Sequence, residues 1–283
     1  MTVLVFGKTG QVATELQRLA DVTALGRGEA DLSDPGACAA AIRAHRPDAV
    51  INAAAYTAVD RAEEEENLAT IINGAAPTEM AKACADLDIP FVHISTDYVF
   101  AGDGVQPWSP KDATVPVNAY GRSKLAGETG IRTVGGTYAI LRTSWVVSAH
   151  GNNFIKTMLR LSETRDHLNI VSDQIGGPTP ARAIAEAVLS IAYQLRADAG
   201  KSGTYHFSGA PGVSWHGFAT EIFAQAGRDI SVTPIPTADF PTPAKRPLNS
   251  RLNCESTQEV FGISRPDWRV ALTEILTELD QKK

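Results

Sequence analysis

The chain has 283 residues, of which 43% are hydrophobic and 20% are charged. This composition is typical of globular proteins and excludes a disordered or fibrous chain. The 26 basic and 32 acidic residues give a formal net charge of -6 at pH 7, so we expect no nucleic-acid partner and no binding to an anionic membrane.

The cysteines and the chain start both point to a cytoplasmic protein. Cys38, Cys84 and Cys254 are odd in number and far apart, which argues against a disulfide framework or a zinc site. The sequence contains no apolar run of the length that a transmembrane helix needs. Residues 1–7 enter a glycine turn without the basic segment of a secretory signal. We therefore expect reduced thiols, a cytoplasmic location and no membrane partner.

Six short apolar runs, rich in β-branched residues, alternate with segments of helical spacing. Continuous apolar runs are typical of strands buried on both faces, and their alternation with helices predicts parallel βαβ units. The expected fold is α/β, a Rossmann-like doubly wound parallel sheet. The predicted strands cover residues 3–6, 22–25, 49–52, 91–95, 138–142 and 205–207. Helices are predicted from Pro35, over 68–87 and over 181–195.

The composition changes after about residue 145, which predicts a smaller C-terminal substrate-binding lobe. The Gly-Asn-Asn segment at 151–153, the Gly-Gly-Pro segment at 176–178 and a proline-rich stretch at 233–247 are typical of loops at a crevice. Short helices are predicted at 258–260 and 270–279. We assign 1–148 together with 176–209 to a discontinuous dinucleotide-binding domain, and 149–175 together with 210–283 to the substrate-binding lobe.

A glycine turn follows the first predicted strand and leads into a predicted helix. In dinucleotide-binding folds such a turn lets the backbone approach the pyrophosphate at a helix N-terminus. The spacing Gly-x-x-Gly-x-x-Ala departs from Gly-x-Gly-x-x-Gly, with the small Ala13 at the last position. An ordinary tight turn is the alternative interpretation. The residues predicted to bind a dinucleotide here are Gly7, Thr9, Gly10, Gln11 and Val12.

The end of the second predicted strand indicates which dinucleotide binds. In such folds an acid reads the ribose of NAD, whereas an arginine accommodates the 2′-phosphate of NADP. Arg27 lies between two glycines and favours NADPH, with NADH as an accepted second cofactor; an exposed loop cation is the alternative. Small residues end the third strand and would let the cofactor lie close. The further cofactor residues predicted are Asp31, Leu32, Ala53, Ala54, Ala55, Tyr56 and Thr57.

A tyrosine and a lysine, Tyr120 and Lys124, are four residues apart on one face of a predicted helix. A phenol near pKa 10 is a poor acid–base group at neutral pH unless a nearby cation favours its phenolate. A surface helix pair is the alternative. The strand end at Ser95, Thr96 and Asp97 places hydroxyls at the carboxyl edge of a parallel sheet, where ligands bind in this architecture. This combination favours an active site.

These motifs resemble the extended short-chain dehydrogenase/reductase family and, within it, the dTDP-4-dehydrorhamnose reductase family over nearly the whole chain. The segments that carry the resemblance are 7–12, 52–60, 95–100, 142–145, 151–154, 173–179 and 246–250. The resemblance implies an enzyme that uses NADPH to reduce dTDP-4-dehydro-6-deoxy-L-mannose to dTDP-L-rhamnose. The hydride would go to the C4 ketone.

The resemblance also implies roles for the site residues. Thr96 would hold the substrate carbonyl, Tyr120 would donate the proton, and Lys124 would bind the nicotinamide ribose and lower the pKa of Tyr120. Trp145 would lie against the sugar, with a half-buried core indole as the alternative. The other expected substrate residues are Asp97, for which a turn role is the alternative, Asn153, and Arg246 as the cation for the phosphates.

Two other functions stay open at this point. One is a non-catalytic regulatory subunit of the methionine adenosyltransferase type, against which Thr96, Tyr120 and Lys124 argue. The other is a different nucleotide-sugar reductase, epimerase or dehydratase. Some relatives join two chains through magnesium held by glutamates. Glu15 matches one such ligand, but Arg182 stands where another acid is expected and would repel the metal. We therefore expect no metal and a monomer or weak homodimer.

Overall fold

The computed structural model describes residues 1–281 and forms thirteen strands and ten α-helices within that range. The strands are β1 (Val3–Phe6), β2 (Thr23–Leu25), β3 (Ala49–Asn52), β4 (Phe91–Thr96), β5 (Tyr138–Thr143), β6 (Val146–Val147), β7 (His167–Val171), β8 (Ile175–Gly176), β9 (Thr179–Pro180), β10 (Gly203–His206), β11 (Val213–Ser214), β12 (Ser231–Ile235) and β13 (Asn249–Ser250). The helices are α1 (Gln11–Leu19), α2 (Pro35–His45), α3 (Glu66–Thr70), α4 (Ala76–Asp86), α5 (Ala119–Val134), α6 (Phe154–Leu161), α7 (Ala181–Ala197), α8 (Trp215–Gln225), α9 (Glu255–Phe261) and α10 (Trp268–Asp280). The predicted second lobe extends to 283, and its last two positions lie outside the described residues.

The central sheet has six parallel strands in the order β10-β5-β4-β3-β1-β2. Five of the six strand predictions begin within one residue of the observed strand, and the sixth, at 205–207, begins two residues late. The doubly wound α/β prediction is confirmed. Strand order reverses between β1 and β3, and in such sheets the carboxyl ends at the reversal form the ligand crevice.

Successive side chains of the buried strands point to opposite faces of the sheet and pack into an apolar layer on each face. In β1, Val3 and Val5 join the layer under α1 and α7, whereas Leu4 and Phe6 join the layer under α2, α4 and α5. All four residues are at most 3% exposed. This double burial explains why β1 is a continuous apolar run.

The helix predicted over 68–87 is interrupted in the structure. A π-helical turn at Ile71–Ala75 separates α3 from α4, and a buried polar residue, Asn73, lies in this turn. The Asn73 side chain accepts a hydrogen bond from Tyr56 N and donates one to Tyr56 O. The interruption therefore fixes the segment that follows β3, consistent with the frequent use of π turns at functional sites.

A third apolar cluster lies away from the sheet and packs α6, α8 and α10 together with β7. Most of its residues come from segments assigned to the substrate-binding lobe, although Val147 precedes the predicted boundary. Phe261 of α9 differs from the predicted division, because it belongs to the segment assigned to the substrate-binding lobe but packs into a cluster on the central sheet. The division into two lobes remains a prediction. No helix within the described range is both long and apolar enough to span a membrane.

Candidate functional site

A cleft of about 920 Å³ opens at the carboxyl edge of the sheet. It lies where β1 and β3 diverge, with β4, the start of α5 and the loop after β5 at its other end. Eighteen residues predicted for the site line it: Gly7, Thr9, Gly10, Gln11, Val12, Arg27, Asp31, Leu32, Ala53, Ala54, Ala55, Tyr56, Thr57, Thr96, Asp97, Tyr120, Lys124 and Trp145. The fold thus brings the predicted cofactor and catalytic residues together.

The glycine turn after β1 is shaped by close backbone packing. Gly7 has a φ of +110°, and a Cβ there would lie 3.3 Å from the carbonyl carbon of Ala53, so a larger residue would strain the turn. Gly10 caps α1, and no atom lies within 4 Å of its would-be Cβ. The space beside Gly10 at the N-terminus of α1 is therefore open, an arrangement that suits a phosphate.

Charged side chains surround the outer end of the cleft. The Lys8 amine lies 3.2 Å from the Glu29 carboxylate, and Glu29 also accepts the Gly26 N–H at 2.8 Å. Arg27 is exposed and lines the cleft beside this pair. Asp31 accepts the Ser33 N–H, which holds the pKa of its carboxyl below the usual value. A cation and an anion thus flank the loop where an adenosine ribose is predicted.

Thr96, Asp97 and Tyr120 meet at the inner end of the cleft. Thr96 Oγ1 donates to Asp97 Oδ1 at 3.1 Å, and both residues are almost fully buried. Burial raises the pKa of Asp97 to about 6, because the neighbouring hydroxyls compensate only in part. Burial also raises the pKa of Tyr120 to about 12, although the Thr96 hydroxyl lowers it. The phenol therefore carries its proton at neutral pH.

Lys124 lines the cleft from the same helix as Tyr120, as the sequence predicts. Its amine donates to the Ile94 carbonyl at 2.7 Å and lies 3.1 Å from His93 Nε2. Burial lowers the pKa of Lys124 to about 8. Burial is the largest influence on the pKa of Tyr120, so the expectation that Lys124 lowers this pKa stays a prediction.

Aromatic rings from two distant segments form another part of the cleft lining. The Trp145 indole stacks on Trp215 of α8, with ring centroids 3.5 Å apart, and both rings line the cleft. A Cβ on Gly176 would lie 2.6 Å from Trp145 Cε2, so this glycine provides the space for the indole. Trp145 itself has a φ of 47°, a backbone conformation rare for a bulky residue.

Two predicted substrate residues do not line the cleft. Asn153 caps α6 by accepting the Lys156 N–H, and its amide donates to the Ser148 carbonyl and Gln11. These bonds occupy Asn153 within the protein. Arg246 donates to Asp60 at 2.6 Å, so this ion pair compensates its charge.

Several cleft residues were missed by the sequence analysis, including Lys8, Tyr98 and Trp215. Lys8 lies inside the glycine motif, and Tyr98 follows Asp97, so their neighbours could have indicated them. Trp215 begins a helix far from every motif, and only the tertiary fold brings it to Trp145.

One cluster has metal-binding residue types but does not fit a cation. Ligand atoms of Glu15, His150 and Glu278 lie within 4.8 Å of one another. The Arg18 guanidinium donates to Glu278 at 2.7 Å and to Glu15 at 3.3 Å, and it lies 2.9 Å from His150. A positive group thus already lies among these side chains.

A parallel sheet with a glycine turn at its switch point, a threonine at a neighbouring strand end and a tyrosine and a lysine on the helix beside it defines a Rossmann-like short-chain dehydrogenase/reductase. A family model described as "RmlD substrate binding domain" matches residues 1–281. A dTDP-4-dehydrorhamnose reductase of Burkholderia thailandensis is 46% identical and covers 96% of this chain and 97% of its own. One of Shigella flexneri is 42% identical over 99% and 98% of the two chains.

A solved structure shows the same likeness in three dimensions. The dTDP-4-dehydrorhamnose reductase of Bacillus anthracis, in complex with NADP, has a TM-score of 0.91 and 33% identity, covering 98% of this chain and 99% of its own. The chain belongs to the dTDP-4-dehydrorhamnose reductase family, which consists of NAD(P)H-dependent oxidoreductases. The resemblance stated from the sequence is thereby confirmed.

Proposed function

We propose that this chain reduces the C4 ketone of dTDP-4-dehydro-L-rhamnose to give dTDP-L-rhamnose, with NADPH as the reductant. The main support is that one cleft is lined both by the glycine turn after β1 and by Thr96, Tyr120 and Lys124. The names of the relatives support the substrate, and the NADP complex of the Bacillus anthracis protein supports the cofactor. The buried free cysteines are in keeping with a cytoplasmic location.

NADPH, when bound, supplies the hydride, and the protein supplies position and the proton. Hydride addition to the ketone carbon leaves negative charge on its oxygen, which a hydroxyl and a phenol can stabilise and protonate. We assign the proton to Tyr120 because of its position: it lines the cleft together with Thr96, and its phenol is protonated at neutral pH. Thr96 would donate to the same oxygen, and Lys124 would bind the nicotinamide ribose.

The substrate half of the cleft combines a flat apolar surface with hydroxyl groups. The stacked Trp145 and Trp215 rings would provide a flat apolar face for a deoxysugar. Asp97 lies beside Thr96, where the ketone would bind. For the phosphates we retain Arg246 as the candidate cation: its Nη2 donates to Asp60, whereas its Nη1 is buried and has no hydrogen-bond partner among the described residues. Asn153 would act by fixing Gln11 of the glycine turn.

The decisive experiment measures NADPH oxidation by the purified protein. We expect oxidation only when the dTDP-linked 4-keto sugar is present, with dTDP-L-rhamnose as the product. Binding of the sugar without oxidation would support the regulatory-subunit alternative. Comparable kcat/KM on an unrelated free ketone would contradict the nucleotide-sugar assignment.

Replacement of the proposed proton donor tests the mechanism separately. Tyr120→Phe should lower kcat by about 100-fold or more, the usual contribution of a general acid, while NADPH binding persists. Tyr98→Phe is the matched control, because the two rings are 5.5 Å apart and both line the cleft. If the loss follows Tyr98 instead, the donor is misassigned.

A further inference from the structure

An ion pair beside the cleft joins segments assigned to the two predicted lobes. Asp60 lies in the segment after β3, and Arg246 lies shortly before β13. Arg246 Nη2 donates to Asp60 Oδ2 at 2.6 Å. The Asp60 side chain is 42% exposed and that of Arg246 is 19% exposed. A pair with this exposure contributes little to the stability of the fold, so its main effect is on the placement of the two charges.

Both carboxylate oxygens of Asp60 bind the segment that carries Arg246. While Oδ2 accepts from the guanidinium, Oδ1 accepts the Ala244 N–H at 3.1 Å. Ala244 is 0% exposed, so the backbone that Asp60 contacts is itself buried. Asp60 therefore holds the side chain of Arg246 relative to its own backbone.

The same segment is attached to the helix that carries the proposed proton donor. The Lys245 carbonyl accepts from Asn118 Nδ2 at 2.8 Å. Asn118 also caps α5, because its Oδ1 accepts the Gly121 N–H at 2.8 Å. Tyr120 lies in this first turn of α5. The backbone beside Arg246 thus has a fixed position relative to Tyr120, and this attachment does not depend on Asp60.

One branch of the Arg246 guanidinium remains without a partner. Nη1 is buried and has no hydrogen-bond partner among the described residues, which is rare for a buried donor. The N–H donors of a guanidinium form a rigid planar fork, so the bond from Nη2 to Asp60 also fixes the direction of Nη1. Arginine nitrogens are well suited to anionic oxygens such as those of a phosphate.

The cleft passes close to this ion pair. Val59 and Tyr98 line the cleft, and Asp60 directly follows Val59. Burial is the main cause that raises the pKa of Tyr98, while Arg246 lowers this pKa and Asp60 raises it. Both charges therefore lie near the Tyr98 phenol. The Tyr98 ring contacts the ring of Tyr120, with centroids 5.5 Å apart, which places the ion pair near the proposed reacting groups.

We propose that Asp60 is a positioning residue that anchors Arg246 Nη2, so that Nη1 donates to a diphosphate oxygen of the sugar nucleotide. This inference rests on the proposed function, which supplies the sugar nucleotide. Because Nη1 is shielded from solvent, a side chain of the cleft wall must shift when the ligand enters. An anchored guanidinium loses less conformational entropy on binding. Asp60 thus increases the affinity for an anion although it is an anion itself.

Asp60→Asn tests the direction of this effect. The single oxygen of an amide accepts from either Ala244 or Arg246 but does not replace both carboxylate oxygens. We expect the Kd for dTDP, measured by calorimetry on the whole chain, to rise about tenfold, the contribution of one charge-assisted hydrogen bond. If Asp60 only neutralised Arg246, the variant would bind dTDP more tightly. Tighter or unchanged binding would therefore overturn the proposal.

Two controls separate this effect from changes in charge and from cofactor binding. Asp86→Asn makes the same change in charge at a pair with Arg43 outside the cleft, and should leave the Kd for dTDP unchanged. NADPH also carries a diphosphate, so its Kd distinguishes the two sources. We expect this Kd to be unchanged in Asp60→Asn. A rise for NADPH instead of dTDP would assign Arg246 to the cofactor and overturn the proposal.

Arg246→Ala distinguishes a positioning role from a merely structural one. This variant should itself weaken dTDP binding by tenfold or more, and adding Asp60→Asn should cause no further loss, because the guanidinium is gone. An Asp60 with only a structural role would weaken binding in both backgrounds. Arg246→Ala or wild-type results decide if Asp60→Asn does not fold: wild-type affinity in Arg246→Ala, or no dTDP binding by the wild type, would overturn the proposal. Failure to reduce the keto sugar, with these affinities as expected, would count against the proposed reaction alone.

Discussion

At the end of the cleft where we expect the adenosine, the neighbours of each charged side chain decide what it can bind. Lys8 and Glu29 form an ion pair in which each side chain is 49% exposed. Solvent screens such a pair, so it contributes little to stability, yet it keeps the Lys8 amine occupied. Arg27 lines the cleft beside this pair, and its planar guanidinium suits a phosphate. Arg27 is therefore the better candidate for contacting the 2′-phosphate.

Arg27→Ala should raise KM for NADPH by about tenfold and leave KM for NADH nearly unchanged. A charge-assisted hydrogen bond contributes about 1.5–3 kcal/mol, and each 1.4 kcal/mol is about a factor of ten. Steady-state kinetics with both cofactors measure the difference. Arg43→Ala is the control, since Arg43 pairs with Asp86 outside the cleft. Equal increases for both cofactors would remove Arg27 from the phosphate site.

Gly176→Ala should impair sugar binding without impairing cofactor binding. The added Cβ would lie 2.6 Å from Trp145 Cε2, so the indole must move out of its stack with Trp215. We expect a severalfold rise in KM for the keto sugar and an unchanged Kd for NADPH. Gly212→Ala is the matched control, because its Cβ would meet only ordinary contacts near 3.7 Å. An unchanged KM in Gly176→Ala would exclude Trp145 from the sugar site.

Single residues show how far sequence reasoning reaches. Thr96 and Tyr120 are predictable because their strand end and helix have strong local signals, and the structure brings both to the cleft. Asn153 and Arg246 also stand in recognisable motifs, but a motif does not reveal what already binds a side chain. Asn153 is bonded to Ser148, and Arg246 to Asp60.

Among the elements, the strands are the most predictable and the helix interruptions the least. β1 is buried on both faces, so its sequence must be continuously apolar. The π turn at Ile71–Ala75 has no such pattern, because an alanine-rich segment is compatible with an uninterrupted helix. What stabilises the turn is a tertiary bond, from Asn73 Nδ2 to Ser123 Oγ at 2.9 Å. Sequence periodicity does not report a bond between elements.

A buried ion pair connects three of the elements around the site. Glu128 of α5 accepts from Arg142 of β5 at 2.6 Å and from Ser95 of β4 at 2.7 Å. Glu128 is 0% exposed and Arg142 is 2% exposed. Ser95 precedes Thr96, and α5 carries Tyr120 and Lys124, so the pair fixes the helix relative to the strand end. Breaking one partner of such a pair leaves an uncompensated buried charge.

Glu128→Gln should therefore lower the free energy of unfolding by about 3–5 kcal/mol at neutral pH. Burial raises the pKa of Glu128, but its bonds to Arg142, Ser95 and Arg132 bring it below the usual 4.5. Such a group stabilises the fold above its unfolded pKa, and this contribution is lost as pH falls through the folded pKa. Urea unfolding at neutral and acid pH measures both effects, and the variant should lose less stability than wild type on acidification.

The control for this effect is Glu186→Gln. Glu186 pairs with Arg182, and the two side chains are 55% and 58% exposed, so we expect a change within about 0.5 kcal/mol. A similar small change in Glu128→Gln would show that the buried pair does not fix α5.

In the whole molecule, the site is assembled from segments that are distant in sequence. Gly7 and Trp215 line the same cleft although about 200 residues separate them. The dinucleotide half follows from the parallel sheet, whose switch point has a fixed place in the strand order. The half that we propose for the sugar depends on how α8 packs with α6 against its neighbours. That packing depends on how side-chain shapes fit together, which a sequence motif does not show. The dinucleotide half of the cleft was therefore predictable, whereas the place of Trp215 was not.

The last prediction concerns assembly of whole chains. Magnesium favours several oxygen ligands and gives up its bound water reluctantly. The cluster of Glu15, His150 and Glu278, in contrast, contacts the Arg18 guanidinium. Binding a divalent cation there would require expelling a positive group that both glutamates already bind. We expect the molar mass from light scattering to be the same in excess magnesium and in EDTA. Arg18→Ala is the informative comparison, because it removes the competing charge. A wild-type dimer that dissociates in EDTA would show that a metal overcomes this charge and joins the chains.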